Sequence, residues 1–108
     1  MKKKDIYGIN NWGNPFFEIL KNGNIGLRNP LHKNNTSVDI FSVINKLKQK
    51  LSPPYILRIN DYLEFMINEI HNNFNRSIKE IGYKNQFRGV FPIKVNQQAK
   101  VVEKIIEF

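Results

Sequence analysis

A chain of 108 residues with 41% hydrophobic content has room for one modest core, which excludes a large self-contained enzyme. The absence of cysteine excludes a disulfide framework, a thiolate metal site and a cysteine nucleophile within these residues, and it fits a reducing compartment, with the cytoplasm as the expected location. Seventeen Lys and Arg against nine Asp and Glu leave a formal charge of +8, which by itself would suggest a nucleic acid or another anionic partner. Composition offers a simpler cause. Asn, Ile and Lys account for 16, 15 and 13 residues, Ala occurs once, and Lys outnumbers Arg 13 to 4, a bias toward A/T-rich codons more than toward phosphate contacts. Glu64, Glu69, Glu80, Glu103 and Glu107 also interrupt the lysines, so nucleic acid is not the expected partner.

Met1-Lys2-Lys3-Lys4 is basic, but no apolar run follows it, so no secretory signal is read here; no stretch is long enough for a bilayer span, and no membrane partner is expected. Residues 6–28 read as β structure, with Phe16-Phe17-Glu18-Ile19-Leu20 and Ile25-Gly26-Leu27 flanking Lys21-Asn22-Gly23-Asn24. The Asn-Gly pair predicts a hairpin with a two-residue type I′ turn. Residues 29–35 form a loop. Thr36 or Ser37 is placed to cap a helix carrying Ile40, Ile44, Leu47 and Leu51 on one face, with Asp39 in its first turn and Lys46, Lys48 and Lys50 near its carboxyl end, before Pro53-Pro54 stop it.

Tyr55-Ile56-Leu57-Arg58-Ile59 is a short β run. Asn60 or Asp61 then opens the longest helix, in which Leu63, Met66, Ile67, Ile70, Phe74, Ile78 and Ile81 fall on one stripe and Gly82 supplies a left-handed end. Gly89-Val90-Phe91-Pro92-Ile93-Lys94-Val95 is apolar on both faces, the pattern of a strand buried in a parallel sheet. From Gln97 onward the chain reads as helix, with Val101, Val102, Ile105 and Ile106 on one side.

Lys94 is the residue that stands out chemically. It is the one charge inside the last β run and lies near its carboxyl end, where α/β barrels gather functional groups. An amine held in apolar surroundings there would favour its neutral form and become available to attack a carbonyl, as Schiff-base chemistry requires; a snorkelling lysine at a strand end is the structural alternative. His32 and His71 are too far apart for a local metal motif. Tyr7, Trp12, Phe16 and Phe17 suit packing more than base stacking. Asp39 and Asp61 suit helix starts, Arg58 has no identified anion, and Asn96 suits the cap of the following helix.

Gly89-Val90-Phe91-Pro92-Ile93-Lys94-Val95-Asn96-Gln97-Gln98 resembles the segment that carries the pyridoxal-phosphate lysine in the biosynthetic arginine decarboxylases. Tyr7-Gly8-Ile9-Asn10-Asn11-Trp12-Gly13-Asn14 resembles the amino-terminal signature of the same family, and Leu57-Arg58-Ile59-Asn60-Asp61-Tyr62-Leu63 and Ile81-Gly82-Tyr83 lie between them in matching order. The resemblance implies an α/β fold: the first two strand and helix units of an alanine-racemase-like (β/α)8 barrel over residues 36–108, preceded by a β-hairpin lead-in, residues 1–35, belonging to a second β domain. It implies that Lys94 forms the Schiff base with pyridoxal 5′-phosphate, with Mg2+ as a family companion. The implied reaction converts L-arginine to agmatine and carbon dioxide, a step toward putrescine and spermidine.

A complete barrel needs about 250 residues. The family's phosphate cradle, ring-nitrogen partner, guanidinium site and catalytic cysteine fall outside the matched segments. The chain alone is therefore expected to be inactive, with open sheet edges and uncovered helix stripes, and to act with the remainder of the barrel or in a homo-oligomer. The alternatives are a non-catalytic remnant or split-enzyme subunit serving as a binding module, and a basic nucleic-acid binder.

Overall fold

A computed structural model describes residues 6–31 and 36–108. His32 lies outside the described residues. The chain divides into two compact units, Met1–Arg58 and Ile59–Phe108.

The first unit opens with a short helix, α1 (Ile9–Trp12), where continuous β structure was expected. Gly8 explains the difference: at φ 58° it takes the left-handed conformation that glycine reaches without a Cβ penalty, and this turns the chain into the helix. The Trp12 indole N–H donates to the Tyr7 carbonyl at 2.9 Å, and the Trp12 ring lies 5.7 Å from that of Phe17, which is the packing role expected of these aromatics. Ile9 sits beneath the turn at 1% exposure, the one fully buried apolar side chain among the described residues.

Strands β1 (Phe17–Ile19), β2 (Ile25–Arg28) and β3 (Ser37–Asp39) form an antiparallel sheet in sequence order. The expected hairpin is present, pairing Phe17 with Leu27 and Ile19 with Ile25, but its connection is not a two-residue type I′ turn. The Leu20 amide bonds to the Asn24 carbonyl and the Gly23 amide to the Leu20 carbonyl, each at 2.9 Å, leaving a three-residue loop. Within it only Gly23, at φ 91°, has positive φ, whereas type I′ geometry requires two such residues.

The sheet continues past residue 35, because β3 pairs with β2 through Gly26–Asp39, Leu27–Val38 and Arg28–Ser37. Thr36 and Ser37 thus precede or lie in a strand and do not cap a helix. Helix α2 (Ile40–Leu47) starts later, capped by Asp39, whose Oδ1 accepts from the Phe41 amide at 2.9 Å and the Ser42 amide at 3.3 Å. Its Oδ2 accepts from the Asn24 side chain at 2.8 Å and the Asn22 side chain at 3.0 Å, tying the hairpin loop to the helix start. The Asn24 amide is the main cause holding the Asp39 carboxyl below its ordinary range; desolvation opposes it, and Asn22 and the two backbone amides reinforce it. Across the sheet, Glu18 accepts from Arg28 at 3.3 Å and from the Ser37 hydroxyl, linking all three strands.

The second unit holds helices α3 (Asn60–Ile81) and α4 (Ala99–Glu107), which contact each other. Neither Asn60 nor Asp61 caps α3. Ile59 occupies that position without a side-chain cap, and Asp61 contributes its negative charge from inside the first turn. The carboxyl end is as expected. Gly82 adopts φ 67°, its amide reaches the Lys79 carbonyl at 3.4 Å and the Tyr83 amide reaches the Ile78 carbonyl at 3.0 Å, the paired bonds of a Schellman ending. Burial, with a smaller contribution from Asp61, raises the Tyr62 phenol.

The architecture is thus mixed helix and antiparallel sheet, compatible with an α/β class. The two strands expected over residues 55–59 and 89–95 are not strands in this structure. A parallel strand gains its hydrogen bonds from neighbours distant in sequence, and neither segment has one among the described residues.

Candidate active-site segment

Residues 83–98 connect α3 to α4, and the first part of this connection packs on α3. Phe87 stacks on Phe74 with ring centroids 4.2 Å apart and planes 2° from parallel, while His71 meets Phe87 edge-on at 5.1 Å. His71 therefore packs within an aromatic cluster. Gly89 passes so close that a Cβ there would lie 2.9 Å from His71 Nε2. Beside this cluster an apolar groove of about 420 Å³ opens between the two helices, lined by Leu63, Ile67, Ile70, Phe91 and Ile105 among others.

Lys94 lies beyond this packed part. The Val95 amide donates to the Pro92 carbonyl at 3.0 Å, closing a β-turn over residues 92–95 with Lys94 at its third position. Its side chain is exposed and, among the described residues, has no ion pair or hydrogen bond. Sequence reasoning placed it at the carboxyl end of a buried strand. Here it stands in water at a turn, because the strand that would bury its neighbours has no ladder to join. Asn96 follows, and its Oδ1 accepts from the Gln98 amide at 3.1 Å, a turn within the connection and not the expected helix cap: Gln98 holds the N-cap position without a side-chain bond, and α4 starts at Ala99 and not at Gln97. Arg58 is exposed and belongs to the other unit.

What the segment offers chemically is an accessible primary amine on a chain otherwise apolar at this point. Among the described residues no group of three or more His, Asp or Glu is placed to hold a metal ion, and no helix is long and apolar enough to cross a membrane. The apolar surface around the segment is extensive. Val90 is 89% exposed and Val95 74%, and on the helices Ile81 and Ile106 stand 76% and 79% exposed.

The segment sets an exposed amine at a turn ahead of α4, and the relatives that sequence comparison finds carry the name of a decarboxylase. Over 94% of its length the chain is homologous to proteins named biosynthetic arginine decarboxylase. Those of Prochlorococcus marinus strains AS9601, MIT 9515 and MIT 9303 are 44%, 45% and 34% identical to it over 103 residues. The chain spans 16% of the length of these relatives, in keeping with the expected amino-terminal piece of such a protein. No family model matches the chain, and no solved structure matches it.

Proposed function

We propose that this chain supplies the lysine-bearing part of a pyridoxal-phosphate-dependent arginine decarboxylase, which converts L-arginine to agmatine and carbon dioxide on the way to polyamines. The observation that carries the reading is Lys94 within the ten-residue segment 89–98, in a chain homologous to named arginine decarboxylases over 94% of its length. The exposed amine at the 92–95 turn suits capture of an aldehyde cofactor, since nothing among the described residues pairs with it or covers it. When bound, pyridoxal phosphate supplies an electron sink for the bond to the departing carboxylate.

In this reading Lys94 holds the cofactor, and the Asn96–Gln98 turn lies between the lysine and α4. The phosphate cradle, the acid for the ring nitrogen and hence turnover belong, in this reading, to a barrel that includes further residues. The reading is tested by incubating the full chain with pyridoxal phosphate, reducing with borohydride and mapping the label by mass spectrometry. Label on Lys94, lost in Lys94→Ala, is expected, with no agmatine formed by the chain alone. Label confined to other lysines refutes the assignment.

A further inference from the structure

The loop between β1 and β2 carries the single Asn-Gly step of the chain, Asn22-Gly23, and both residues are exposed. The Asn22 side-chain amide is held at both ends. Its Oδ1 accepts from the Asn24 backbone amide at 3.0 Å, and its Nδ2 donates to Asp39 Oδ2 at 3.0 Å. Gly23 follows at φ 91° with no side chain to screen its own amide nitrogen, which donates to the Leu20 carbonyl at 2.9 Å.

We propose that Asn22 is a site of self-modification, at which the Gly23 amide nitrogen displaces ammonia from Asn22 Cγ and water opens the resulting ring, leaving a carboxylate beside that of Asp39. The Gly23 nitrogen gives its proton to hydroxide and forms a bond to Cγ. The Cγ–Nδ2 bond then breaks, and Nδ2 takes up a proton from water and departs as ammonia. Water adds to one of the two carbonyls of the five-membered ring. Addition at Cγ restores the ordinary backbone and leaves aspartate, whereas addition at the Asn22 backbone carbonyl routes the chain through Cγ and leaves isoaspartate. One water enters, one ammonia leaves, and nothing is oxidised or reduced.

The loop singles out Asn22 among the asparagines. The Asn24 amide on Oδ1 draws electron density from Cγ and is already in place for the oxyanion that forms there. Asn14 and Asn29 precede Pro15 and Pro30, which have no amide hydrogen to give up, and the asparagines within α3 are followed by amides committed to the helix. The Gly23–Leu20 bond acts in the opposite sense. The nucleophile must leave it, and a hydrogen bond of ordinary net strength slows the reaction about two- to tenfold, which makes the site a slow clock.

The product exchanges a donor to Asp39 for a like charge, at the carboxylate that caps α2 through Phe41 and Ser42 and ties the hairpin loop to the helix start. Isoaspartate also lengthens the backbone inside the loop that Leu20 and Asn24 close. The age of the molecule is thereby written into the start of α2, independently of any role for Lys94.

The test holds the full chain in mildly alkaline water enriched in heavy oxygen, at physiological temperature, and maps it by mass spectrometry. Residue 22 is expected to convert first among the asparagines, to both aspartate and isoaspartate, with one heavy oxygen gained and one ammonia released. The chain unfolded in urea should convert there about two- to tenfold faster, and Asn22→Gln, which would need a larger ring, should not convert over the same period. Asn22→Asp should speed exchange of the Phe41 and Ser42 amides about two- to fivefold, the reach of an exposed charged contact. Unchanged helix circular dichroism and Trp12 fluorescence verify that this variant folds, and Asn22→Ala, which removes the donor without adding a charge, should speed the same exchange less. Earlier conversion at another asparagine, conversion without heavy oxygen, or equal rates in the folded and unfolded chain overturns the site. Unchanged Phe41 and Ser42 exchange in Asn22→Asp overturns its link to α2.

Discussion

Gly13 is the position where a single methyl group should be most damaging. Its backbone, at φ −94° and ψ −17°, is open to any residue, so Gly13→Ala carries no conformational penalty in the folded state and gains about 0.4–1 kcal/mol from a less flexible unfolded chain. Space decides against it. The new Cβ would lie 2.7 Å from the Ile9 carbonyl oxygen, 2.8 Å from Ile9 Cγ1 and 3.0 Å from Phe17 Cβ, all well inside the roughly 3.5–4.0 Å of comfortable carbon contacts. Two of these atoms belong to the fully buried Ile9, whose carbonyl is anchored by the 2.7 Å bond from the Gly13 amide. Overpacking of this kind costs about 1–3 kcal/mol, so the net loss is about 1–2 kcal/mol, or about 1 M in urea midpoint for a small unit. Trp12, the single tryptophan, reports directly on this region by fluorescence. Ile9→Ala should cost about 2–5 kcal/mol from lost burial and the cavity left behind. The two changes share a contact, so in the double variant the Cγ1 overlap disappears while the carbonyl overlap remains, and the summed losses should exceed the measured one by about 0.5–1 kcal/mol. A Gly13→Ala midpoint at or above that of the parent, or strict additivity with Ile9→Ala, would refute this packing account.

Three further outcomes follow from the same structure. Gly82→Ala meets open space, so its cost is purely that of the left-handed backbone, about 1–2 kcal/mol, read as lower thermal stability of the helical signal, with Gly82→Asn milder. Gly89→Ala should displace the His71 ring from Phe87, seen as altered aromatic chemical shifts, and combining it with His71→Ala should remove the conflict. Because Asp39 has a folded-state pKa below its unfolded value near 3.8, its stabilising effect is present above that value and fades as pH falls through the folded pKa. Asp39→Asn should flatten this acid limb of a pH–stability curve, and an unchanged limb would show that the Asn24 contact has no influence.

What the sequence made readable was local. The apolar stripe of α3 and its glycine ending depend on spacing within a few turns, and both appear where the pattern places them. The hairpin was readable for the same reason, whereas its loop length was not, since Asn-Gly fits more than one turn and the Leu20–Asn24 pairing chose between them. The start of α2 was misplaced because Ser37 and Val38 were drawn into a strand by Arg28 and Leu27, a contact that spacing along the chain does not reveal. The same limit applies with more force to residues 55–59 and 89–95, which are not strands here and whose expected pairing would need partners remote in sequence. Lys94 was legible by type and context, but its surroundings were not.

The uncovered faces of α3 and α4 also bear on how long such a polypeptide persists. Chaperones and proteases survey newly made proteins for oily patches left in water, and Ile81, Ile106 and Val90 present one. Side chains displayed in this way keep that signal on view for as long as they stand in water.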